Sequence, residues 1–591
     1  MSRSLTWFWA LALSLLILTT SPATAQTLKV GVVQMVIEPA LAQNRTKILR
    51  FLGEARRQHC DLVVFPELAL FWPEISNEKP TKADLDDALK EIGEAAGKAG
   101  LYVLLGTSYR ATANGHYQNR GVLFGPDGKR LIFYEKNLEV PRFFQVRGVP
   151  CNVSICSDRG YLEHSDLPCL MQGSKVIIDI SGGHGGDDGR PNLRWIRYRP
   201  WAKRTGAYVI VSNPVHHDTD FMGHSPWGGG SAIIAPDGSL QARRIHESDT
   251  LIVGEIDTAR ASLAAATLRR QHPLFKSFWE AGGKLLNGGS LNTAPKVKPF
   301  VSAVRDIKIA AVQMTSTGDV HDNVRRIIAH ITRAAKAGAD VVVFPELAVT
   351  GARPEDVRKA DASILEEALQ RIRQEARERK IHVIAGMPAV AGAVRNNCAV
   401  VIGDDGKVLT TYAQLTARGK LFQAGESTRA MWFKLKGVYA IVTIGRDADW
   451  VEIGDLAANR GMCLHFHLSN EADPSGLARL THLVALQYAQ AGAVVNARGG
   501  SMIVSRVGGH NKPAPRGIEY YLPYQTSIVK AAGQAPEMIV ATVRSSRTNA
   551  MDLQRYWRNR NRKRRAQKGW HNWITVGAAL IHGDTPVEKA P

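Results

Sequence analysis

Asp61-Leu-Val-Val-Phe-Pro-Glu67-Leu68 returns further along the chain as Asp340-Val-Val-Val-Phe-Pro-Glu346-Leu347. Upstream, Lys29-Val-Gly-Val-Val-Gln-Met35 returns as Lys308-Ile-Ala-Ala-Val-Gln-Met314. Both recurrences share one offset, so a whole unit is duplicated rather than a short motif. In the first copy, residues 30–35, 62–65 and 101–106 are short apolar runs that read as strands, the second of them ended by Pro66. Between them, residues 44–57 and 85–99 carry apolar positions at helical spacing, among them Ile48, Leu52, Leu85, Leu89 and Ile92. The second copy repeats that order over 307–314, 323–337, 341–344, 364–379 and 381–386. Strands alternating with helices predict an α/β fold. Continuous apolar strands predict sheets buried on both faces.

A chain of 591 residues exceeds what one core can organise. Gly, Ser, Asn and Pro gather between Asn287 and Pro299, as expected of a linker. The expected boundaries are a first unit over 28–285, a linker over 286–304, a second unit over 305–560 and a basic tail over 561–591. Residues 1–25 stand apart. Arg3 precedes an apolar run from Leu5 to Leu18, and Ala23-Thr-Ala25 offers a small-residue cleavage site. This pattern predicts a signal peptide cut near Ala25, and so a secreted or periplasmic chain. The run is too short for a typical membrane-spanning helix.

The six cysteines, Cys60, Cys151, Cys156, Cys169, Cys398 and Cys463, are too sparse for a disulfide scaffold and show no zinc-type spacing. Buried structural thiols are the default for most of them. The formal charge is +21, and much of it lies near the C-terminus. Between Arg544 and Lys568 stand ten Lys or Arg and a single acid, Asp552, with the densest run at Arg558–Arg565. Such a run reads as a solvated tail or as a patch for anionic surfaces. Export disfavours nucleic acid as its partner. Trp557, Trp570 and Trp573 flank the run, so part of the tail is expected to pack.

Three residues of the first copy carry chemistry. Glu67 follows a buried strand, where burial would raise its pKa and fit it for general-base work. Lys136 follows the hairpin-like Gly125-Pro-Asp-Gly128 turn and would stabilise an oxyanion. Cys156 lies at the exit of an alternating strand, where a cation and backbone N–H groups favour a thiolate. Alone, each reads as readily as a structural residue. Taken in order, a base, a cation and a thiol form an acyl-transfer set.

In that order the sequence resembles the nitrilase, or carbon–nitrogen hydrolase, superfamily. The matching segments are Val33-Gln-Met35, Phe65-Pro-Glu-Leu68, Tyr134-Glu-Lys136 and Ile155-Cys-Ser-Asp158 followed by Glu163. They continue with Arg199 to Asn213 and with Gly230 to Gly238. The resemblance covers the mature chain once per copy and implies two tandem αββα sandwiches. It implies Glu67 as general base, Cys156 as nucleophile, and Lys136 with the Ser157 N–H as oxyanion partners. The implied reaction passes through a Cys thioester and cleaves a non-peptide amide or nitrile of small size, with no cofactor and no metal. An acyltransferase would form the same acyl-enzyme, and a wholly non-catalytic binding or scaffold protein is the alternative from another class.

The chain departs from the family pattern in two places. The family's second glutamate between Lys and Cys has no match at its usual spacing, since Glu139 is the sole acid between Lys136 and Cys156. The second copy keeps Glu346, Asp447 and Glu452 but has Gln414 where Lys would stand and Gly445 where Cys would stand. A neutral amide and a hydrogen cannot perform covalent catalysis. The second copy therefore reads as a pseudoenzyme half, expected to pair with the first within one chain.

Overall fold

The computed structural model describes residues 26–110, 115–136, 143–182, 198–215, 229–243, 248–417, 419–471, 486, 488–505, 527–545, 547 and 568–583. The expected signal peptide, Glu139 and the Arg558–Arg565 run lie outside them.

The duplication becomes four six-stranded sheets, two per half. In the first half, the outer sheet runs in space as Thr250–Asp257, Thr27–Gln34, Leu62–Val64, Tyr102–Arg110, Tyr117–Phe124 and Arg130–Glu135. Thr27–Gln34, Leu62–Val64 and Tyr102–Arg110 run parallel, joined by helices Leu41–Arg57 and Lys82–Ala99. The inner sheet carries Phe143–Val146, Val149–Ile155, Val176–Ile180, Tyr208–Ser212, Ala232–Ile234 and Leu240–Arg243. Side chains alternate along each strand, so one set of residues fills the space between the sheets and the other meets helices. Val30, Val32, Leu62 and Leu104 meet Val153, Ile155, Ile178 and Ile210 between the sheets. Val33, Val63 and Val103 pack with Ile48, Leu52, Leu85 and Ile92 of the two outer helices.

The second half repeats this plan. Its outer sheet centres on Asp306–Gln313, Val341–Val343 and His382–Ala391, covered by helices Val320–Lys336 and Ala362–Arg379. Its inner sheet centres on Val438–Ile444, Leu464–Ser469 and Ala491–Asn496. Each half is thus helix, sheet, sheet, helix, and the α/β class and tandem sandwich read from the sequence are what the chain adopts.

The inner helices of the two halves share one apolar cluster with the inner sheets, from Leu162, Trp201, Phe275 and Phe278 to Trp450, Leu456 and Trp573. Phe278 stacks on Trp573 with ring centroids 4.5 Å apart, and the Trp573 indole N–H donates to the Phe278 carbonyl at 2.6 Å. Helix Lys276–Leu286 and helix Lys568–Leu580 meet here, each following the last strand of its own half. A Cβ at Gly282 would lie 2.7 Å from the Trp573 ring, and one at Gly577 would lie 2.4 Å from Leu456. Glycine at both places permits the close approach. Helix Lys568–Leu580 lies within the span 561–591 read as a basic tail, and Trp570 and Trp573, which were expected to pack, are buried in it. The linker packs too, with Phe300 stacked on Tyr439 and its N–H donated to the Arg460 carbonyl. No helix among the described residues is long and apolar enough to cross a membrane.

Candidate active site

Glu67 stands just past Leu62–Val64, where Pro66 ends the strand. The next residue, Leu68, takes a left-handed φ of 60°. The turn lies hard against the neighbouring strand: a Cβ at Gly106 would come within 2.6 Å of the Glu67 Cα. Only glycine allows that approach, so the carboxylate is fixed by backbone as well as by side-chain contacts.

Three donors hold the Glu67 carboxylate. Lys136 Nζ reaches Oε1 at 2.5 Å and Asn119 Nδ2 reaches the same atom at 2.7 Å. The Gly182 N–H donates to Oε2. Burial works to raise the pKa of Glu67, but the charge and hydrogen bond of Lys136, with Asn119 and Gly182, outweigh it and hold the carboxyl below its ordinary 4.5. The sequence-based expectation of a raised pKa is therefore wrong in direction. Lys136, next after strand Arg130–Glu135, shows the reciprocal effect. Burial opposes its charge, yet Glu67 and Cys156 raise it above 10.5.

Cys156 follows strand Val149–Ile155 and opens a 3-10 turn, Cys156–Gly160, that also carries Ser157. Its φ of 52° is left-handed, which costs a non-glycine residue about 1–3 kcal/mol. The surroundings fix it there. The Cys156 N–H donates to Asp179 Oδ1 at 3.0 Å, and Arg159 Nη1 donates to the Cys156 carbonyl at 2.5 Å. Asp179 also accepts from Arg159 at 3.2 Å and from the Tyr198 hydroxyl at 2.5 Å. Burial pushes the Asp179 pKa up to about 6, against Arg159, Tyr198 and the Cys156 N–H. Asp158 takes a structural part, accepting the Tyr134 hydroxyl. Glu163 is buried beyond the elbow, and its charge bears on Asp455 of the other half.

The structure thus gathers Glu67 and Lys136 with Cys156 beside them, and it adds Asn119, Asp179 and Gly182, which sequence reasoning missed. Asn119 had a signal: it returns as Asn397, each ahead of a Gly-x-Asp-Gly turn. Asp179 had another, as the acid inside the apolar run Val176–Ile180.

The second half keeps the frame, with Gln414 and Gly445 where the first has Lys136 and Cys156. Leu347 repeats the left-handed φ at 54°, and Gly386 repeats the close approach to the Glu346 turn. Asn397 Nδ2 donates to Glu346 Oε1 at 2.6 Å and to Gln414 Oε1 at 3.1 Å. Gln414 Nε2 donates to the Ile444 carbonyl at 3.1 Å. Gly445 holds the elbow at φ 49°, and a Cβ there would meet Gln414 Nε2 at 2.9 Å and Glu346 Oε1 at 3.0 Å. A side chain at this place would have to push back the ends of Gln414 and Glu346. Burial, then the Glu471 and Asp447 charges, push Glu346 up to about 7 against the hydrogen bonds of Asn397 and Asn470.

The family model for carbon–nitrogen hydrolases matches the chain twice, over residues 29–266 and 308–443. The chain belongs to the carbon–nitrogen hydrolase family. Among curated relatives of this hydrolase, the omega-amidase NIT2-B of Xenopus laevis is 23% identical over 273 residues, covering 42% of this chain and 93% of that protein. The omega-amidase NIT2 of Homo sapiens is 23% identical over 275 residues, covering 42% of this chain and 94% of that protein. Among solved structures, the carbon–nitrogen hydrolase from Helicobacter pylori aligns with a TM-score of 0.36 at 19% identity, over 42% of this chain and 94% of its own. A hydrolase acting on carbon–nitrogen bonds is the activity class that the family carries.

Proposed function

We propose that this carbon–nitrogen hydrolase cleaves a small non-peptide amide or nitrile in its first half only, through a thioester on Cys156. The observation that carries the reading is the contrast at one position of the fold: Cys156 beside the Lys136–Glu67 pair, against Gly445 closed in by Gln414 and Glu346.

Glu67, held ionised by Lys136, takes the Cys156 thiol proton as sulfur attacks the substrate carbon. The negative charge that develops on the amide oxygen is met by Lys136 and the Ser157 N–H. The tetrahedral adduct collapses, the C–N bond breaks, and Glu67 returns its proton to the departing ammonia or amine. Glu67 then deprotonates a water, whose oxygen attacks the thioester. The C–S bond breaks, the acid leaves and the thiolate recovers its proton. Lys136 keeps its proton throughout and acts as a fixed charge, in line with its raised pKa.

We assign the second half to a partner role within the chain. The shared apolar cluster and the Phe278–Trp573 stack support it. Residues 1–25 support export, and the Arg558–Arg565 run supports contact with anionic surfaces.

Intact-mass spectrometry of the full chain exposed to a library of amides and nitriles tests the reaction. The expected result is an acyl adduct that disappears in Cys156→Ala. Turnover that survives Cys156→Ala overturns the assignment.

A further inference from the structure

A line of buried contacts runs from the second half into the backbone of Cys156. Glu452, fully buried in helix Val451–Arg460, receives both edges of the Arg269 guanidinium, at 3.0 Å from Nε and 2.6 Å from Nη2. Arg269 belongs to the first half and is itself 1% exposed. Its Nη1 donates to Asp166 Oδ1 at 2.5 Å. Asp166 then takes Arg204 in a two-point contact, Nε to Oδ1 and Nη2 to Oδ2, both at 2.9 Å. Arg204 lies on helix Tyr198–Thr205, whose first residue, Tyr198, donates to Asp179 Oδ2. Asp179 Oδ1 accepts the Cys156 N–H.

From Glu452 to Asp179, every step is a charged or charge-assisted hydrogen bond between buried groups or a rigid helix of under three turns, and the last, to the half-buried Cys156, is charge-assisted too. Two-point guanidinium contacts fix direction as well as distance. The endpoint is the one that needs fixing, since Cys156 is held in a left-handed conformation that its side chain disfavours. In the first half the same post-elbow segment carries Glu163 and Asp166; in the second, Glu452 and Asp455 stand at the matching places. Glu452 thus survives where the chemistry of its own half is gone, and it is spent on the neighbour's arginine.

From this we infer that Glu452 is a positioning residue for Cys156, acting across the two halves through Arg269, Asp166 and helix Tyr198–Thr205. The inference rests on the reading of Cys156 as nucleophile, and it gives the catalytically empty half a defined task. A simpler task, holding the halves together, would make Glu452 exchangeable for any pair that packs as well.

Alkylation of the full-length protein by iodoacetamide, followed on Cys156 by peptide mass spectrometry across a pH series, reads thiol placement without any amide substrate. Glu452→Gln leaves Arg269 and Arg204 sharing the single carboxylate of Asp166 and will lower stability. The decisive variant is therefore the double exchange Arg269→Met with Glu452→Met, since apolar residues of similar volume commonly replace a buried ion pair without loss of fold. The expected result is a double variant that unfolds at the wild-type temperature yet alkylates Cys156 about tenfold more slowly at neutral pH, as small misplacements of reacting groups cost that much or more. A wild-type alkylation rate in the folded double variant overturns the inference. Amide turnover by the wild type is scored separately, so a failure of the proposed reaction shows as absent turnover with the alkylation difference intact.

Discussion

In the first half Glu67 sits against Lys136 and its carboxyl is held below 4.5; in the second, Glu346 occupies the same turn against Asn397 and Gln414 and is pushed up to about 7. The backbones of the two pockets agree down to the left-handed leucine, the glycine behind the turn and the left-handed elbow. The carboxylate and its asparagine are present in both. What differs is one cation and one thiol. The comparison teaches that the glutamate marks the fold, whereas its charge state is decided by whether a buried ammonium stands 2.5 Å away.

The largest test removes the thiol. Cys156→Ala is expected to lower amide turnover by at least about a thousandfold, since no other group of the site supplies the covalent step. A stopped amide assay checks it; near-normal turnover would mean that the second pocket, or another residue, does the chemistry. Next, Lys136→Gln gives the first carboxylate the neutral amide that the second pocket has in place of the cation. Turnover should fall by about 10²–10³, the usual effect of losing an oxyanion partner. The acid limb of the pH–rate profile should also move up toward neutrality, because burial of Glu67 then acts without its counter-charge. A limb that stays in place breaks the electrostatic half of the comparison.

Glu346→Gln sharpens it from the other side. The folded pKa of Glu346 lies above its ordinary 4.5, so its contribution to stability is fully present below 4.5 and is lost as pH rises through about 7. A glutamine, always neutral, loses nothing over that window. The variant should therefore match the wild type near about pH 5 and exceed it near about pH 8, by at most about 3 kcal/mol. Urea midpoints at the two pH values measure this, and an equal gap at both would refute the raised pKa. The smallest effect is expected from Gly445→Ala. A methyl group at φ 49°, 2.9 Å from Gln414 Nε2, should cost about 1–2 kcal/mol of stability and leave amide turnover unchanged. Thermal unfolding of the variant checks the closure of that pocket.

Much of this was legible in the sequence. The repeated Phe-Pro-Glu-Leu and the strand–helix alternation led to tandem α/β sandwiches, because a period-2 or period-3.6 pattern is a local property. Gln414 and Gly445 could be read against Lys136 and Cys156 for the same reason. The charge state of Glu67 could not. Burial alone predicts a raised pKa, and the opposing contact comes from a lysine just past the end of another strand. Asp179 and Gly182 were missed because their roles exist only once Val176–Ile180 lies beside Val149–Ile155. The contacts of Arg269 with Glu452 are longer in range still and leave no trace in any local window. The tryptophans after the basic run announced that part of the tail packs, but not that Lys568–Leu580 is a helix or what it packs against.

That helix has a consequence for how the molecule is made. The ribosome completes the first half, with its thiol and its lysine, long before Trp573 is translated. Until then Phe278 lacks the ring that stacks on it, and the face around Gly282 stands uncovered. The first half is covered only once residues 568–580 of the second have been made. A product that stopped before Trp573 would carry Glu67, Lys136 and Cys156 and still present an open aromatic surface, so the order of synthesis itself favours quality control that waits for that helix.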